Sequence, residues 1–283
     1  MKYVKSSMIQ CCVWGLLLDF GLTFATIPYV LFPTLSGYPL GILFDFGMSM
    51  KYQTIVIIEL MIGVGCSLSG ILENRFSCMS KPGSSFKNHI IIYIFNMIYS
   101  NCILYVQFLK SPEQESARKI VLYEMLPPNL PEYIHTAPIY VASLDSFENG
   151  MTMMAMYMFI FLQCAFFAFG TVYKLYFQHK SKNLSSNTKR MQNKFFVLIC
   201  IQCSIPVIVI SFPMCYIIFS CSMFYFNQAI NNLVFILFSF HGSLTTISII
   251  FVHPPYRKAI TPSCMRTQIQ RSITMKVSSI VNF

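Results

Sequence analysis

The sequence predicts an all-α, polytopic transmembrane helical bundle, and three observations carry that expectation. Hydrophobic residues make up 55% of the 283 residues and charged residues only 11%, with a mean hydropathy of +0.59. A soluble domain carries roughly 25% charged residues, and a chain this poor in charge could not cover a water-facing surface with polar groups. Six segments reach the ~20 apolar residues that a bilayer crossing needs. Lys and Arg fall very unequally on the two sides of those segments.

The six predicted spans run over about 11–35, 52–72, 88–109, 151–177, 195–220 and 228–252. Pro28, Pro206 and Pro213 lie inside them and predict kinks rather than breaks, because neighbouring helices can satisfy the carbonyls a proline frees. The connection 36–51 is short and carries Gly37, Pro39 and Gly41, and 73–87 is basic. The connection 110–150 is the longest and holds six of the ten acidic residues, namely Glu113, Glu115, Glu124, Glu132, Asp145 and Glu148. Segment 178–194 is polar and basic, and 221–227 is minimal. Residues 1–260 form the predicted bundle domain and 261–283 a basic tail.

When the N-terminus, 73–87, 178–194 and the tail are placed on one face, that face holds 16 of the 20 Lys and Arg, Lys174 included. The other holds Lys51, Lys110, Arg118 and Lys119. An excess of this kind puts the first face in the cytosol. Six spans return both chain ends to that side, in accord with the count.

Several function classes are not expected. The net charge of +10 tracks topology, so no nucleic acid is predicted as a partner. Lys2 and Lys5 precede an apolar run that is too long for a signal peptide and lacks its cleavage pattern. Most of the 11 Cys sit in apolar runs; without tandem CxxC pairs or neighbouring His they predict no metal site, and no cofactor is expected. Neither H-E-x-x-H, G-x-S-x-G nor a Gly-rich phosphate loop occurs, so no enzyme is expected. His241-Gly242-Ser243 makes a poor dyad, since each helical step turns about 100° and the two side chains point about 200° apart.

Polar residues inside the spans are the candidates for function. Asp19 and Glu59 are the intramembrane acids and His241 lies in the last span; Asn96, Asn101, Gln163, Gln202, Asn231 and Asn232 add amides. Charge within hydrocarbon is costly and marks functional sites. Two readings stay open: an interhelical network with two arrangements, as a switch requires, and structural hydrogen bonds worth ~0.6 kcal/mol each. A proton relay through Asp19, Glu59 and His241 is disfavoured, because the three share neither a span nor a level.

Three stretches go beyond composition. Trp14 to Asp19, with Ile27-Pro28-Tyr29 and Gly37 to Gly41, resembles the second helix and following loop of nematode serpentine receptors of class h. Leu72-Glu73-Asn74-Arg75 looks like that family's E-N-R ending of helix three. Asn231-Asn232, Ser239 to Thr246 and His253-Pro254-Pro255-Tyr256-Arg257 resemble its helix seven and P-Y-R ending. Gln202 with Ile205-Pro206 looks like the matching feature of helix six, and Pro112, Gln114 and Ala117 fit its long extracellular loop.

The resemblance implies a chemosensory G-protein-coupled receptor that detects an external small molecule. Its partners would be the lipid bilayer and a heterotrimeric G protein, and its place the plasma membrane of chemosensory neurons. It assigns coupling or switch roles to Glu73, Asn74, Arg75, Tyr256 and Arg257. The chain begins where the family's first cytoplasmic loop is expected, so the six spans correspond to helices two to seven of a seven-helix receptor. A non-signalling truncated family member, retained in the endoplasmic reticulum, is the alternative. A small-solute transporter is a weaker one, since no two related halves with broken helices are visible.

Overall fold

A computed structural model describes residues 2–80, 85–180 and 185–252. Six helices in it are long and apolar enough to cross a membrane: α1 (Lys2–Phe20), α3 (Met50–Ser80), α4 (Ser85–Leu109), α7 (Ser146–Lys180), α8 (Ser186–Met223) and α9 (Gln228–Val252). At ~1.5 Å per residue, the 38 residues of α8 span far more than the ~30 Å hydrocarbon core. The helices therefore extend through much of 73–87 and 178–194, which the hydropathy pattern assigned to loops. α8 runs unbroken past Pro206 and Pro213.

One predicted span is corrected. The first helix continues from Phe20 only through a π-helical turn, Gly21–Ala25, and the chain then leaves the helix. Residues 28–39 form an antiparallel hairpin of β1 (Pro28–Val30) and β2 (Ser36–Pro39), so Pro28 opens a strand rather than kinking a span. The apolar run misled because this hairpin is itself buried. Its turn dips into the bundle, where Phe32 is in the core and stacks on Phe235 at 6.2 Å.

The rest of this end is also folded. Short helices α2 (Ile42–Asp45), α5 (Gln114–Ile120) and α6 (Glu132–Thr136), with β3 (Tyr140–Val141), occupy the connections. β3 pairs with β2 in the order β1-β2-β3. Gln114 extends the sheet beyond its own strands: its amide donates to the Val141 carbonyl and accepts from the Val141 N–H. Arg118 donates twice to the Ile139 carbonyl, at 3.1 and 3.2 Å. Beneath them Leu31, Ala117, Val121, Ile134, Ile139 and Val141 form an apolar cluster of their own. The long acidic connection is thus a cap with its own core.

α3 is the axis of the bundle. Of its apolar stretch 61% is buried, against 11–33% for the other five. It packs on α1, α4, α7 and α8, while α9 closes against α1 and α8. Helices in lipid approach closely where one side chain is small. At Gly63 the Trp14 indole lies directly over the α3 backbone, and any Cβ there would strike the ring. Trp14 Nε1 in turn donates to the Tyr93 hydroxyl of α4 at 3.1 Å. A single aromatic residue thereby locks three helices.

Gly63→Ala is expected to destabilise the purified protein by about 1–3 kcal/mol, the scale of core overpacking. Gly15→Ala is the control, because a Cβ there meets only ordinary contacts at 3.7 Å. Trp14 is the sole tryptophan, so melting followed by tryptophan emission reads this interface directly.

Candidate functional site

A cavity of ≈ 300 Å³ lies between α1, α3, α7, α8 and α9 under the hairpin. Its walls come from the β-capped ends of these helices, the side that the Lys and Arg count assigns to the exterior. Ile57, Met61, Met156, Ile160, Met214 and Phe235 represent a lining that is predominantly apolar, and none of the described lining residues is charged. Phe32 and Leu35 of the hairpin form its roof, while Gly65 and Leu68 reach its deepest part.

Most polar groups around the cavity are already engaged. Thr54 donates to the Met50 carbonyl, and Tyr157 shares a hydrogen bond with Ser211 of α8. Tyr140 meets Ser111 at 3.1 Å; burial pushes its phenol above the ordinary range, so it stays neutral. Gln53 is different. It is only 2% exposed, and its Nε2 donates to the Met48 carbonyl at 2.8 Å, which fixes the amide's orientation. Its Oε1 then finds no partner among the described residues. Gln107 Nε2, at the end of α4, is in the same position. Both glutamines line the cavity.

The opposite end of α3 carries the predicted E-N-R triplet, and successive residues there meet different helices. Glu73, fully buried, lies 2.9 Å from His89 Nδ1 of α4 and accepts from Ser77 at 2.5 Å. Asn74 Nδ2 donates to Ser7 of α1 at 3.1 Å. Arg75 donates to the Gln192 backbone carbonyl of α8 at 3.3 Å. Phe76 packs on Phe166 and Phe167 of α7 and takes the Lys174 ammonium 3.5 Å above its ring. Steps of about 100° between neighbours on a helix produce this fan. A direct Glu73–Arg75 pair is not formed; the acid's partner on the next helix is His89.

The remaining intramembrane polar residues fall into separate clusters rather than one network. Asp19 Oδ1 lies 3.3 Å from His241 Nδ1 and accepts from the Gly242 N–H, tying α1 to α9. A Cβ on residue 242 would collide with the Asp19 carboxylate. His241 Nδ1 also lies 2.9 Å from the Phe238 carbonyl. Glu59 accepts from Asn101, joining α3 to α4. Asn96 and Gln163 exchange two bonds at 2.8 and 2.9 Å, with Ser69 donating to the same Gln163 oxygen.

Asn231 serves the roof of the cavity. It accepts from Tyr216 and donates to the Phe32 carbonyl in the hairpin turn, where Gln228 also holds the Val30 carbonyl. Asn232 is exposed and accepts from Gln228 in its own helix. Gln202 sits in α8 with its side chain outside the description, and Tyr256 and Arg257 lie outside the described residues. His89, Tyr216, Gln53 and Gln107 escaped the sequence reading. For His89 a signal existed: an acid buried at a span end needs a donor on the next helix.

A family model described as serpentine type 7TM GPCR chemoreceptor, Srh, matches residues 1–266. The chain is 24% identical over 274 residues to serpentine receptor class H-72 of Caenorhabditis elegans, an alignment covering 91% of this chain and 74% of that protein. No solved structure matches.

Glu73→Ala leaves His89 and Ser77 facing a buried site without an acceptor. A loss of about 1–3 kcal/mol is expected, seen as a lower melting temperature in detergent. Glu73→Gln, which restores an acceptor oxygen, should recover part of it.

Proposed function

Given that the chain belongs to the Srh family of serpentine-type 7TM GPCR chemoreceptors, we propose that it detects an external small molecule in the cavity beneath the hairpin and passes that event along α3 to a heterotrimeric G protein. The observation that carries the proposal is the shared helix. Leu68 lines the cavity and Glu73 begins the inner cluster only five residues later, about 7.5 Å along the axis.

A ligand shifts a conformational equilibrium only by binding one arrangement more tightly. Here a molecule against Gly65 and Leu68 would bear on the helix whose inner residues hold α1, α4 and α8. A change in the seating of α3 would alter the Glu73–His89, Asn74–Ser7 and Arg75–Gln192 contacts together. Arg75 is the group we assign to the switch, because its partner on α8 is a backbone carbonyl, which a repositioned guanidinium can exchange for another acceptor. The basic start of α8, with Lys189, Arg190 and Lys194, would face the G protein and anionic headgroups. Tyr256 and Arg257 are assigned to the same cytosolic surface by the family resemblance alone. As a multi-pass membrane protein of this family, the chain is proposed to act in the plasma membrane of chemosensory neurons.

The test is nucleotide exchange on a co-expressed G protein in cells exposed to a panel of odorants. Arg75→Ala is expected to lower ligand-stimulated exchange about tenfold, within the range of an allosteric coupling of ~1–3 kcal/mol, while surface abundance is preserved. Unchanged exchange in that variant would remove Arg75 from the switch.

A further inference from the structure

We infer that the cavity takes an uncharged, predominantly apolar molecule bearing one hydroxyl or amide-like group, which Gln53 and Gln107 recognise together. This inference rests on reading the cavity as the ligand site.

The argument against charge is direct. None of the described lining residues is ionic, so a carboxylate or ammonium would enter with no counter-charge. Burying an isolated ion in such surroundings is prohibitive, and buried charges are otherwise paired. The neighbouring cation, Lys51, does not line the cavity and donates to the Phe108 carbonyl at 3.1 Å. The volume of ≈ 300 Å³ stands at the small end of the ~300–1,000 Å³ range of ligand pockets.

The argument for a polar group comes from the two amides. Buried acceptors and donors are nearly always paired, and an unpaired one calls for an explanation. Gln53 Oε1 needs a donor and Gln107 Nε2 needs an acceptor. They stand on adjacent helix ends, the first turn of α3 and the last turn of α4, which the Lys51–Phe108 bond holds together. A hydroxyl carries both a donor and an acceptor on one atom, and a primary or secondary amide carries them on neighbouring atoms. A pure hydrocarbon supplies neither, and a ketone or ester meets Gln107 alone.

The experiment uses the full chain in lipid nanodiscs and matched sets of probes: octanol, octanoate, octylammonium and octane; phenylethanol, phenylacetate, phenylethylammonium and ethylbenzene. Saturable thermal stabilisation reports binding, since a ligand of the folded state raises its stability with concentration. Each alcohol is expected to bind roughly tenfold tighter than its hydrocarbon, the scale of a hydrogen-bonded group, and its charged partners not at all. Gln53→Leu and Gln107→Leu should each erase most of the alcohol's advantage while leaving hydrocarbon binding in place. Met156→Trp, which fills the cavity, should abolish all binding and so excludes a nonspecific lipid effect.

The inference is overturned if no alcohol in either set outbinds its charged partners, or if its advantage survives both glutamine substitutions. Failure of the receptor reading looks different: alcohols bind in the Gln53-dependent manner, yet none of them stimulates exchange on a co-expressed G protein. Stimulation by the charged probes instead would sink the ligand class and leave the receptor standing.

Discussion

In hydrocarbon, helices gain little from hiding apolar surface, because lipid tails are as apolar as Leu; shape and hydrogen bonding decide which surfaces meet. α3 is where that constraint bears hardest. It is enclosed by other helices along most of its length, so nearly every residue on it must fit a particular neighbour. Gly63 accommodates the Trp14 ring, Ser69 answers Gln163, and Glu73, Asn74 and Arg75 reach α4, α1 and α8 in turn. The cavity and the inner cluster are both defined by their position along this one helix. A displacement of α3 therefore has no local solution, since its neighbours on several sides are engaged at once.

The polar groups follow a different logic from the single network that their number suggests. Each cluster is local: Asp19 with His241 and Gly242 joins α1 to α9, Glu59 with Asn101 joins α3 to α4, and Asn96 with Gln163 and Ser69 joins α4, α7 and α3. Such pairs set register and separation at their own gap. Asn231 is the exception, because it binds the hairpin turn as well as a neighbouring helix. Together with Tyr216 and Gln228 it fastens the hairpin turn into the bundle, so the cavity's roof is held from within.

Much of this was legible in the sequence. Hydropathy located five of the six long apolar helices, though α3 and α8 run well past the ends it predicted, and the order of motifs led to the family. Its reach ended where burial and secondary structure part company. Residues 26–35 are as apolar as a helix because they are buried like one, and a short apolar run does not say whether it is helix or strand. Gln114, which reads as a loop amide, acts as a substitute strand edge. Glu73 stood out as part of a motif, yet its partner His89 lies across a helical turn and a connection, at no fixed sequence spacing. Gln53 and Gln107 each sit near a span end, where amides are ordinary. Only their convergence on one cavity, with an atom of each left unmatched, sets them apart.

The sheet over the cavity joins residues that are made far apart in time. Ser36 and Gly37 leave the ribosome roughly a hundred residues before Val141 and Tyr140, their partners. During that interval α3 and α4 are synthesised, and the edge of β2 has no strand to meet. The cap can close only after the chain has returned to the same side of the membrane and delivered β3. Damage to β3, to Gln114 or to Arg118 would therefore leave the roof of the cavity incomplete even with every long helix in place.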